Sequence, residues 1–298
     1  MDPSQRHRIL SRLHADLGGF TPRMRQVASY IIDNPVDFGL DPLRQTASRC
    51  GVSTYTLVRM AKYLGFDSFD ALREPFRRAL SARDDGAGAP QWLLALHRRD
   101  AFGAAQADAS KNSLSNVRHA LQTLSTDETV ALIDLLVGAR RVYITAVRAT
   151  YALAYYFHYV GRMALPHLQL IPSGMNSAVD ELTDAGGDDV LIAMCFNPYS
   201  RETVEACRFA RERGVQLVLL ADSSVALAEL EPAHTLTAAV QSTHHFACFA
   251  GPMAMLDTLL ALLMARGGAP AAARVRDYEA VRAASNAYWR NKKNTLFF

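Results

Sequence analysis

Side chains that could contact nucleic acid are concentrated in residues 42–65, with the sequence PLRQTASRCGVSTYTLVRMAKYLG. At about 100° per residue, a helix that begins after Ser53 places five such residues on one face. These five are Tyr55, Thr56, Arg59, Lys62 and Tyr63. Arginine can donate two hydrogen bonds to guanine, threonine can contact base edges, and lysine and tyrosine suit phosphate. The pattern predicts a helix that reads DNA, with Ser53 and Thr54 at an N-terminus that favours a phosphate.

The residues before this helix predict how it is positioned. Leu43, Ala47 and Cys50 recur at helical spacing, Gly51 permits a sharp turn, and Ser53 is a suitable N-cap. Two short helices with a glycine turn between them make a helix-turn-helix. The alternative is a surface helix with an ordinary polar face. The agreement of the apolar stripe, the turn and the cap favours the DNA-reading interpretation.

The charge of the chain is distributed unevenly. Residues 1–82 contain twelve Lys and Arg against eight Asp and Glu, an excess of +4, whereas the whole chain carries +3. A basic first quarter is consistent with a polyanionic partner, and also with an ordinary solvated surface.

The remaining composition favours a reducing cytoplasm. No pair of the four cysteines has CxxC spacing, so we expect buried thiols and neither a disulfide framework nor a zinc site. The N-terminus lacks the apolar core of a signal peptide. Gly251, Pro252 and Asp257 interrupt the longest apolar stretch, residues 246–264, which reads as a buried helix and not a membrane span.

From Arg141 onward, short apolar runs alternate with helix-length amphipathic stretches. The predicted strands are Val142–Thr145, His167–Ile171, Val190–Cys195, Val215–Leu220 and Thr235–Ala238. Helices are expected near 150–161, 174–184, 200–213, 225–230 and 244–266. This alternation predicts an α/β fold with a doubly wound parallel sheet, in which ligands bind at the carboxyl ends of the strands.

Two segments resemble a known family of bacterial regulators. The segments FTPRMRQVASYIIDNP and PLRQTASRCGVSTYTLVRMAKYLGFDSFDAL, within residues 18–80, are similar to the N-terminal domain of RpiR/MurR-type transcriptional regulators. Residues 125–265 fit the pattern of the sugar isomerase-type (SIS) domain that follows it in that family. The resemblance implies an all-helical helix-turn-helix domain that binds operator DNA as a dimer, and an SIS domain that binds a phosphosugar or related metabolite.

The two loops that usually hold phosphate in that family are altered here. After the first strand the chain reads TAVRAT, without the family's glycine, and Arg148 offers a charged contact instead. After the third strand, Cys195 and Asn197 replace two serines, Pro198 replaces a glycine, and Ser200 keeps the closing hydroxyl. The effector is therefore expected to be a phosphosugar or sugar acid, with another acid or a neutral metabolite as the alternatives.

Six side chains near the strand ends are the candidate effector ligands: Arg148, Thr150, Ser173, Asn197, Ser200 and Arg201. Ser200 is equally suited to act only as the N-cap of the next helix. We expect no catalytic residue, no cofactor and no metal site. His244 and His245 diverge on a helix and lack a completing carboxylate, so lid or subunit contacts suit them better.

The competing class is a sugar-phosphate isomerase or other sugar-processing SIS enzyme, whose chemistry needs a positioned base. Glu181, Glu202 and the two histidines are candidates by residue type alone.

The expected organisation is a DNA-binding domain in residues 1–82, a linker and connecting helices in 83–124, an SIS domain in 125–268 and a helical tail in 269–298. The expected assembly is a homodimer or homotetramer on a palindromic operator, without a membrane partner.

Overall fold

The computed structural model describes residues 4–81 and 90–289. Contacts divide the chain into two compact units, one of residues 1–110 with 223–229 and the other of residues 111–222 with 230–298. Of the segment 83–124, predicted as a linker with connecting helices, residues 83–89 lie outside the described residues, as do residues 290–298 of the predicted helical tail.

Helices alone make up the first unit within its described residues. Their bounds are α1 Ser4–Asp16, α2 Pro22–Asp33, α3 Pro35–Leu40, α4 Leu43–Cys50, α5 Thr54–Tyr63, α6 Phe69–Ser81 and α7 Gln91–Arg99. The core is formed by apolar side chains that recur at helical spacing, among them Val27, Ile31, Leu57, Met60 and Leu72, each no more than 1% exposed. The all-helical character predicted for this part of the chain is confirmed.

The turn between α4 and α5 has the geometry that the sequence predicts. Gly51 adopts a left-handed conformation (φ 64°, ψ 29°), which a side chain would disfavour. The Val52 N–H donates to the Ala47 carbonyl at 3.0 Å, which satisfies an orphan group at the end of α4. Ser53 then caps α5, its hydroxyl accepting from the Thr56 N–H at 3.4 Å. Helix α5 therefore follows α4 through one short, well-determined turn.

The second unit is built on a five-stranded, wholly parallel sheet with the order β2-β1-β3-β4-β5. The strands are β1 Val142–Thr145, β2 Leu168–Ile171, β3 Val190–Cys195, β4 Gln216–Ala221 and β5 His234–Thr237. Every residue of β1 and β3 is buried, as expected for central strands covered on both faces. The predicted α/β class is confirmed.

The helices that complete this unit are α8 Ala101–Thr123, α9 Thr126–Gly138, α10 Tyr151–Gly161, α11 Ala178–Glu181, α12 Arg201–Glu212 and α13 Ala250–Ala284. Helix α8 begins within the first unit. Buried apolar side chains of α9, α10 and α13 join those of the strands in one core. Gly268 has a non-helical backbone (φ 52°, ψ −140°) and divides α13 into two helical segments, close to the predicted helix end at residue 266 and the predicted start of the helical tail at residue 269.

Three predicted helices are shorter than expected, and the one predicted over 225–230 is only the 3-10 turn Ala228–Leu230. The helix predicted over 174–184 is the single turn α11, because Gly174 has a positive φ and Ser177 caps a helix that begins only at Ala178. The helix predicted from residue 244 begins at Ala250. The preceding segment folds back as a loop, with the Cys248 N–H donating to the Val240 carbonyl at 3.0 Å.

A buried ion pair joins the residues that enter the two central strands. Arg140 precedes β1 and donates to both carboxylate oxygens of Asp189, which precedes β3, at 2.9 and 2.5 Å. The Gly186 N–H donates to the same carboxylate at 2.9 Å, and Asp189 is fully buried. The hydrogen bond from Arg140, with a smaller contribution from the Gly186 N–H, lowers the pKa of Asp189. This pair fixes the amino-terminal edge of the sheet, opposite the edge where ligands bind in such folds.

Candidate functional site

The exposed face of α5 carries most of the side chains that the sequence assigned to DNA. Tyr55 is 70% exposed and Tyr63 is 43% exposed, and Thr54, Arg59 and Lys62 also face solvent. Within the described residues, neither Arg59 nor Lys62 forms an ion pair with an acidic side chain. Two cations on one helix face are thus left without an internal counter-charge, which suits a polyanionic partner.

Thr56 differs from the expectation that it lies on this face. Its side chain is buried, and its hydroxyl lies 3.1 Å from that of Ser53. Ser53 also caps the helix by accepting from the Thr56 N–H at 3.4 Å. Thr56 and Ser53 therefore shape the start of α5, and the base-contact role expected of Thr56 would require its hydroxyl to be uncovered.

Tyr63 is anchored to the first helix of the unit. Its hydroxyl donates to Asp16 at 2.8 Å, the Arg12 guanidinium lies 5.3 Å from its ring centroid, and Phe20 packs edge-on at 5.0 Å. The Asp16 hydrogen bond raises the pKa of Tyr63. Because these contacts fix the ring, Tyr63 presents a rigid edge beside Lys62 at the end of α5.

The carboxyl edge of the sheet has one crevice set by topology. The chain passes from β1 outward to β2 and then returns to β3 on the other side of β1, so the strand order reverses between β1 and β3. Ligands of open α/β sheets bind at such switch points. The loops after β1 and β3, which contain Arg148 and Ser200, flank this point.

Arg148 bridges the crevice. One guanidinium nitrogen donates to Ser200 Oγ at 3.1 Å and to Glu202 Oε2 at 3.1 Å, and the other donates to Glu202 Oε1 at 3.1 Å. Ser200 Oγ donates in turn to Glu202 Oε2 at 2.6 Å. The structure thus brings together two of the predicted effector ligands and adds a carboxylate between them. The bidentate geometry is that of arginine bound to a planar oxyanion.

The backbone at Arg148 keeps the conformation that a glycine would adopt most easily. Its φ is +56°, in the left-handed region that side chains disfavour. The loop lacks the family's glycine, yet it contains a residue with a positive φ. The protein accepts local strain here and gains a guanidinium at the switch point.

We expect Arg148→Gly to melt about 2 °C higher than Arg148→Ala, because only the glycine relieves the positive φ whereas both substitutions remove the same ion pair. Differential scanning calorimetry of the two variants measures this difference. Equal melting temperatures, or a more stable alanine variant, would contradict the strain at this position.

The other four candidates are arranged less directly around Arg148. Thr150 ends a short 3-10 turn before α10 and is half-buried, and its side chain forms no cap hydrogen bond. Arg201 pairs with Glu205 at 2.7 Å along α12. Ser173 and Asn197 lie at the ends of β2 and β3, where each is bonded to an acidic residue.

Carboxylates at this edge bind the predicted ligand residues, a role that the sequence analysis did not assign to Glu181 and Glu202, which it named only as candidate bases. Glu181 accepts from the Ser173 N–H at 2.5 Å and from Ser173 Oγ at 3.0 Å, and Asp222 accepts from the Asn197 N–H at 3.2 Å. The hydrogen bonds from Arg148 and then Ser200 lower the pKa of Glu202 to about 2. The sequence signal was the spacing Ser200-Arg201-Glu202, which places an acidic side chain in the first turn of α12, where the helix dipole favours it.

The thiol that replaces a family serine is held inside the loop. Cys195 Sγ accepts from the Ser200 N–H at 3.3 Å, and burial raises the pKa of this thiol. Ser200 is the N-cap residue of α12, as expected, but its hydroxyl forms no cap hydrogen bond and points to Glu202 instead. The Cys195 contact therefore orders the loop, and the Ser200 hydroxyl remains available to bind Arg148 and Glu202.

Metal-ligating side chains are not grouped in the part of the chain that the structure describes. No group of three or more His, Cys, Asp or Glu side chains there could hold a metal ion. His244 and His245 are exposed, and the His244 Nδ1 accepts from the Phe246 N–H at 3.2 Å. None of the described helices is both long and apolar enough to cross a membrane.

The architecture defines a class of protein in which an N-terminal helical domain with a helix-turn-helix precedes a five-stranded parallel α/β domain. Residues 135–266 match the model of the SIS domain family. Residues 135–266 therefore form an SIS domain that follows an N-terminal helical region, and the fold implied by the resemblance to RpiR-type regulators is confirmed.

Solved structures support the same fold. The sugar isomerase domain of an RpiR transcription factor from Sphaerobacter thermophilus is 24% identical, with a TM-score of 0.55 over 58% of this chain and 97% of that one. The Vibrio vulnificus NanR protein complexed with ManNAc-6P is 17% identical, with a TM-score of 0.56 over 94% of this chain and 100% of that one. The second similarity covers both the helical region and the SIS domain.

Among curated sequences, a protein named bifunctional protein glk from Paraburkholderia xenovorans is 24% identical over 260 residues. The match covers 86% of this chain but spans only 38% of that protein.

Proposed function

We propose that this protein is a DNA-binding transcriptional regulator whose SIS domain senses a small metabolite, either a phosphosugar or a sugar acid. The observation that carries the proposal is the exposed face of α5, the second helix of the glycine-turn pair, where Arg59 and Lys62 have no acidic partner among the described residues. Its support also includes the similarity to the RpiR and NanR regulators.

In this proposal α5 enters the major groove of operator DNA. Arg59 reads a base edge, Lys62 and Tyr63 contact phosphates, and Tyr55 and Thr54 lie near the helix start. Ser53 and Thr56 hold the helix N-terminus in the orientation that phosphate binding needs. A palindromic operator follows if the protein is a homodimer or homotetramer, because twofold symmetry presents two such helices.

Self-association through the SIS domain is supported by an apolar groove of about 640 Å³ between α8, α9 and α13. Its lining includes Leu121, Val130 and Leu262, which are 41%, 52% and 40% exposed. Apolar side chains grouped in this way are typical of surfaces that another protein surface covers, and we assign them to a second copy of this chain.

The effector binds in this proposal at the carboxyl edge of the sheet, where Arg148 and Ser200 meet across the switch point. The NanR structure contains ManNAc-6P, which supports a phosphorylated or acidic sugar as the ligand class here. Binding changes regulation only if the ligand has different affinities for the DNA-bound and free conformations. A cytoplasmic location is part of the same proposal.

An SIS-type sugar-phosphate isomerase is the second candidate, and the site geometry disfavours it. The two glutamates named as candidate bases both accept hydrogen bonds, Glu202 from Arg148 and Ser200, and Glu181 from Ser173. A general base works best with a pKa near neutrality, whereas the pKa of Glu202 is lowered to about 2. We expect no turnover of aldose or ketose phosphates.

Fluorescence anisotropy on DNA flanking the gene, at fixed salt, tests the proposal. We expect specific binding that one member of a panel of sugar phosphates and sugar acids strengthens or weakens, and sedimentation of the same sample reports dimer or tetramer. Should genome-wide selection also yield no sequence bound more tightly than random DNA, the regulator proposal is wrong. Isomerase turnover on the same panel would favour the second candidate.

A further inference from the structure

The polar groups at the carboxyl edge of the SIS sheet share one unusual property. Three of the loops that follow strands each have a donor satisfied by a carboxylate of the same chain. Ser173 after β2 donates to Glu181, the Asn197 N–H after β3 donates to Asp222, and Arg148 after β1 donates to Glu202. An anionic ligand that approached this edge would find its donors already bonded to negative charge.

The interaction at Glu202 is the most complete of the three. Its two oxygens receive both guanidinium nitrogens of Arg148 at 3.1 Å and the hydroxyl of Ser200 at 2.6 Å. These are the same donors, in the same bidentate arrangement, that a phosphate or carboxylate ligand would require. Both charged side chains are well exposed, 68% for Arg148 and 58% for Glu202, so the pair can open to solvent at modest cost.

We propose that Glu202 is a specificity-determining residue of this site, because its carboxylate occupies Arg148 and Ser200 and thereby selects against dianionic phosphates. The ligands favoured instead are sugar derivatives with one negative charge or none. The inference rests on the proposed function and changes its ligand class: it excludes the phosphosugar, keeps the sugar acid and adds a neutral sugar.

The preference against dianions follows from the charge of the pair. The group formed by Arg148, Ser200 and Glu202 has no net charge, whereas the same group without the Glu202 carboxylate carries one positive charge. Coulomb energy is proportional to the product of the charges. Cancelling that positive charge therefore removes twice as much attraction energy from a dianion as from a monoanion. The binding of sugar hydroxyl groups is not weakened in this way, because Glu202 accepts hydrogen bonds from them.

The chain offers a matched control for this idea. Glu205 lies one turn further along α12 and is paired with Arg201 at 2.7 Å. Glu202→Gln and Glu205→Gln therefore remove the same charge from the same helix. The first frees Arg148, whereas the second frees the candidate ligand Arg201, whose side chain is 89% exposed.

Isothermal titration of the full-length protein at pH 8, with inorganic phosphate and acetate as probes, tests the inference. We expect Glu202→Gln to bind phosphate about tenfold more tightly than the wild type, with a smaller gain for acetate. Glu205→Gln should change phosphate affinity by less than about twofold. The double variant Arg148→Met with Glu202→Gln should not show this increase in phosphate affinity. Such a result would show that the effect of Glu202→Gln depends on Arg148.

A phosphate affinity in Glu202→Gln no higher than in Glu205→Gln would overturn the inference, as would no phosphate binding by any variant. Equal gains for phosphate and acetate would overturn the selection against dianions. Glu202→Ala repeats the test should the glutamine itself bind Arg148. DNA binding of the variants without ligand is measured separately, so a failure of the regulator proposal, with no operator bound, is distinguishable from a failure at Glu202.

Discussion

Replacing Asp189 with alanine is expected to lower the free energy of unfolding of the SIS domain by about 3 kcal/mol, because the carboxylate is a buried member of an ion pair. The substitution removes both bonds from Arg140 and leaves the Gly186 N–H without its acceptor. Arg140 itself is half exposed and recovers water, which limits the loss. Urea unfolding at pH 7 measures the change.

An exposed pair in the same domain supplies the control. Asp134 binds Arg266 at 2.5 Å, but both side chains are about half exposed, so Asp134→Ala should cost less than about 1 kcal/mol. Similar losses for the two variants would contradict the structural role assigned to Asp189.

The pH dependence of the same variant has a definite sign. The pKa of Asp189 is lowered in the folded protein, chiefly by the hydrogen bond from Arg140. A carboxyl group with a lowered pKa in the folded protein stabilises the folded state at any pH above its pKa in the unfolded chain, which is near 4. This stabilisation is lost as the pH falls through the folded-state pKa. The difference in unfolding free energy between wild type and Asp189→Ala should therefore shrink below about pH 4. A difference that is constant with pH would contradict the assignment.

The second large effect concerns the proposed DNA interface. Arg59→Ala is expected to weaken operator binding by about 1–3 kcal/mol, roughly 5- to 150-fold, and to relax the base preference at one position. Arg59 stands exposed on α5 with no acidic partner among the described residues, so its removal should leave the fold unchanged. Anisotropy on the selected operator and on its single-base variants measures both effects.

Lys62 and Arg276 separate the possible causes of such a loss. Lys62→Ala should weaken binding to all sequences alike and reduce the slope of log affinity against log salt by about one. Arg276→Ala removes an exposed positive charge from the second unit and should leave DNA binding unchanged. Operator binding by Arg59→Ala at the wild-type affinity would contradict the base-contact role proposed for Arg59.

Elements whose signals are local were predicted most accurately. The turn at Gly51 and the cap at Ser53 follow from a few neighbouring residues, and both have the expected geometry. Strands β1 and β3 match the predicted bounds at both ends. Central parallel strands are buried on both faces, so their apolar runs begin and end with the strand itself.

Errors occurred where a distant contact competes with a local pattern. The helix predicted from residue 244 begins at Ala250, because Asn112 and Asn116, more than a hundred residues away, both donate to the Gln241 carbonyl at 2.7 Å. Gly251 packs so closely on the Asn116 backbone that an added Cβ would lie 2.8 Å from its carbonyl oxygen. No periodicity in the sequence reports these contacts.

The amino-acid sequence by itself determined the order of the elements, the helix-turn-helix, the parallel sheet and the loops that reach the switch point, because each depends on periodicity or on turn-forming residues. Tertiary structure alone decided which side chains meet there. Thr56 is covered although a helical wheel places it with Arg59, and Arg148 is paired with Glu202, 54 residues later in the chain. A helical wheel gives the direction of a side chain but not what packs against it, and an ion pair between two loops exists only after the sheet has brought them together.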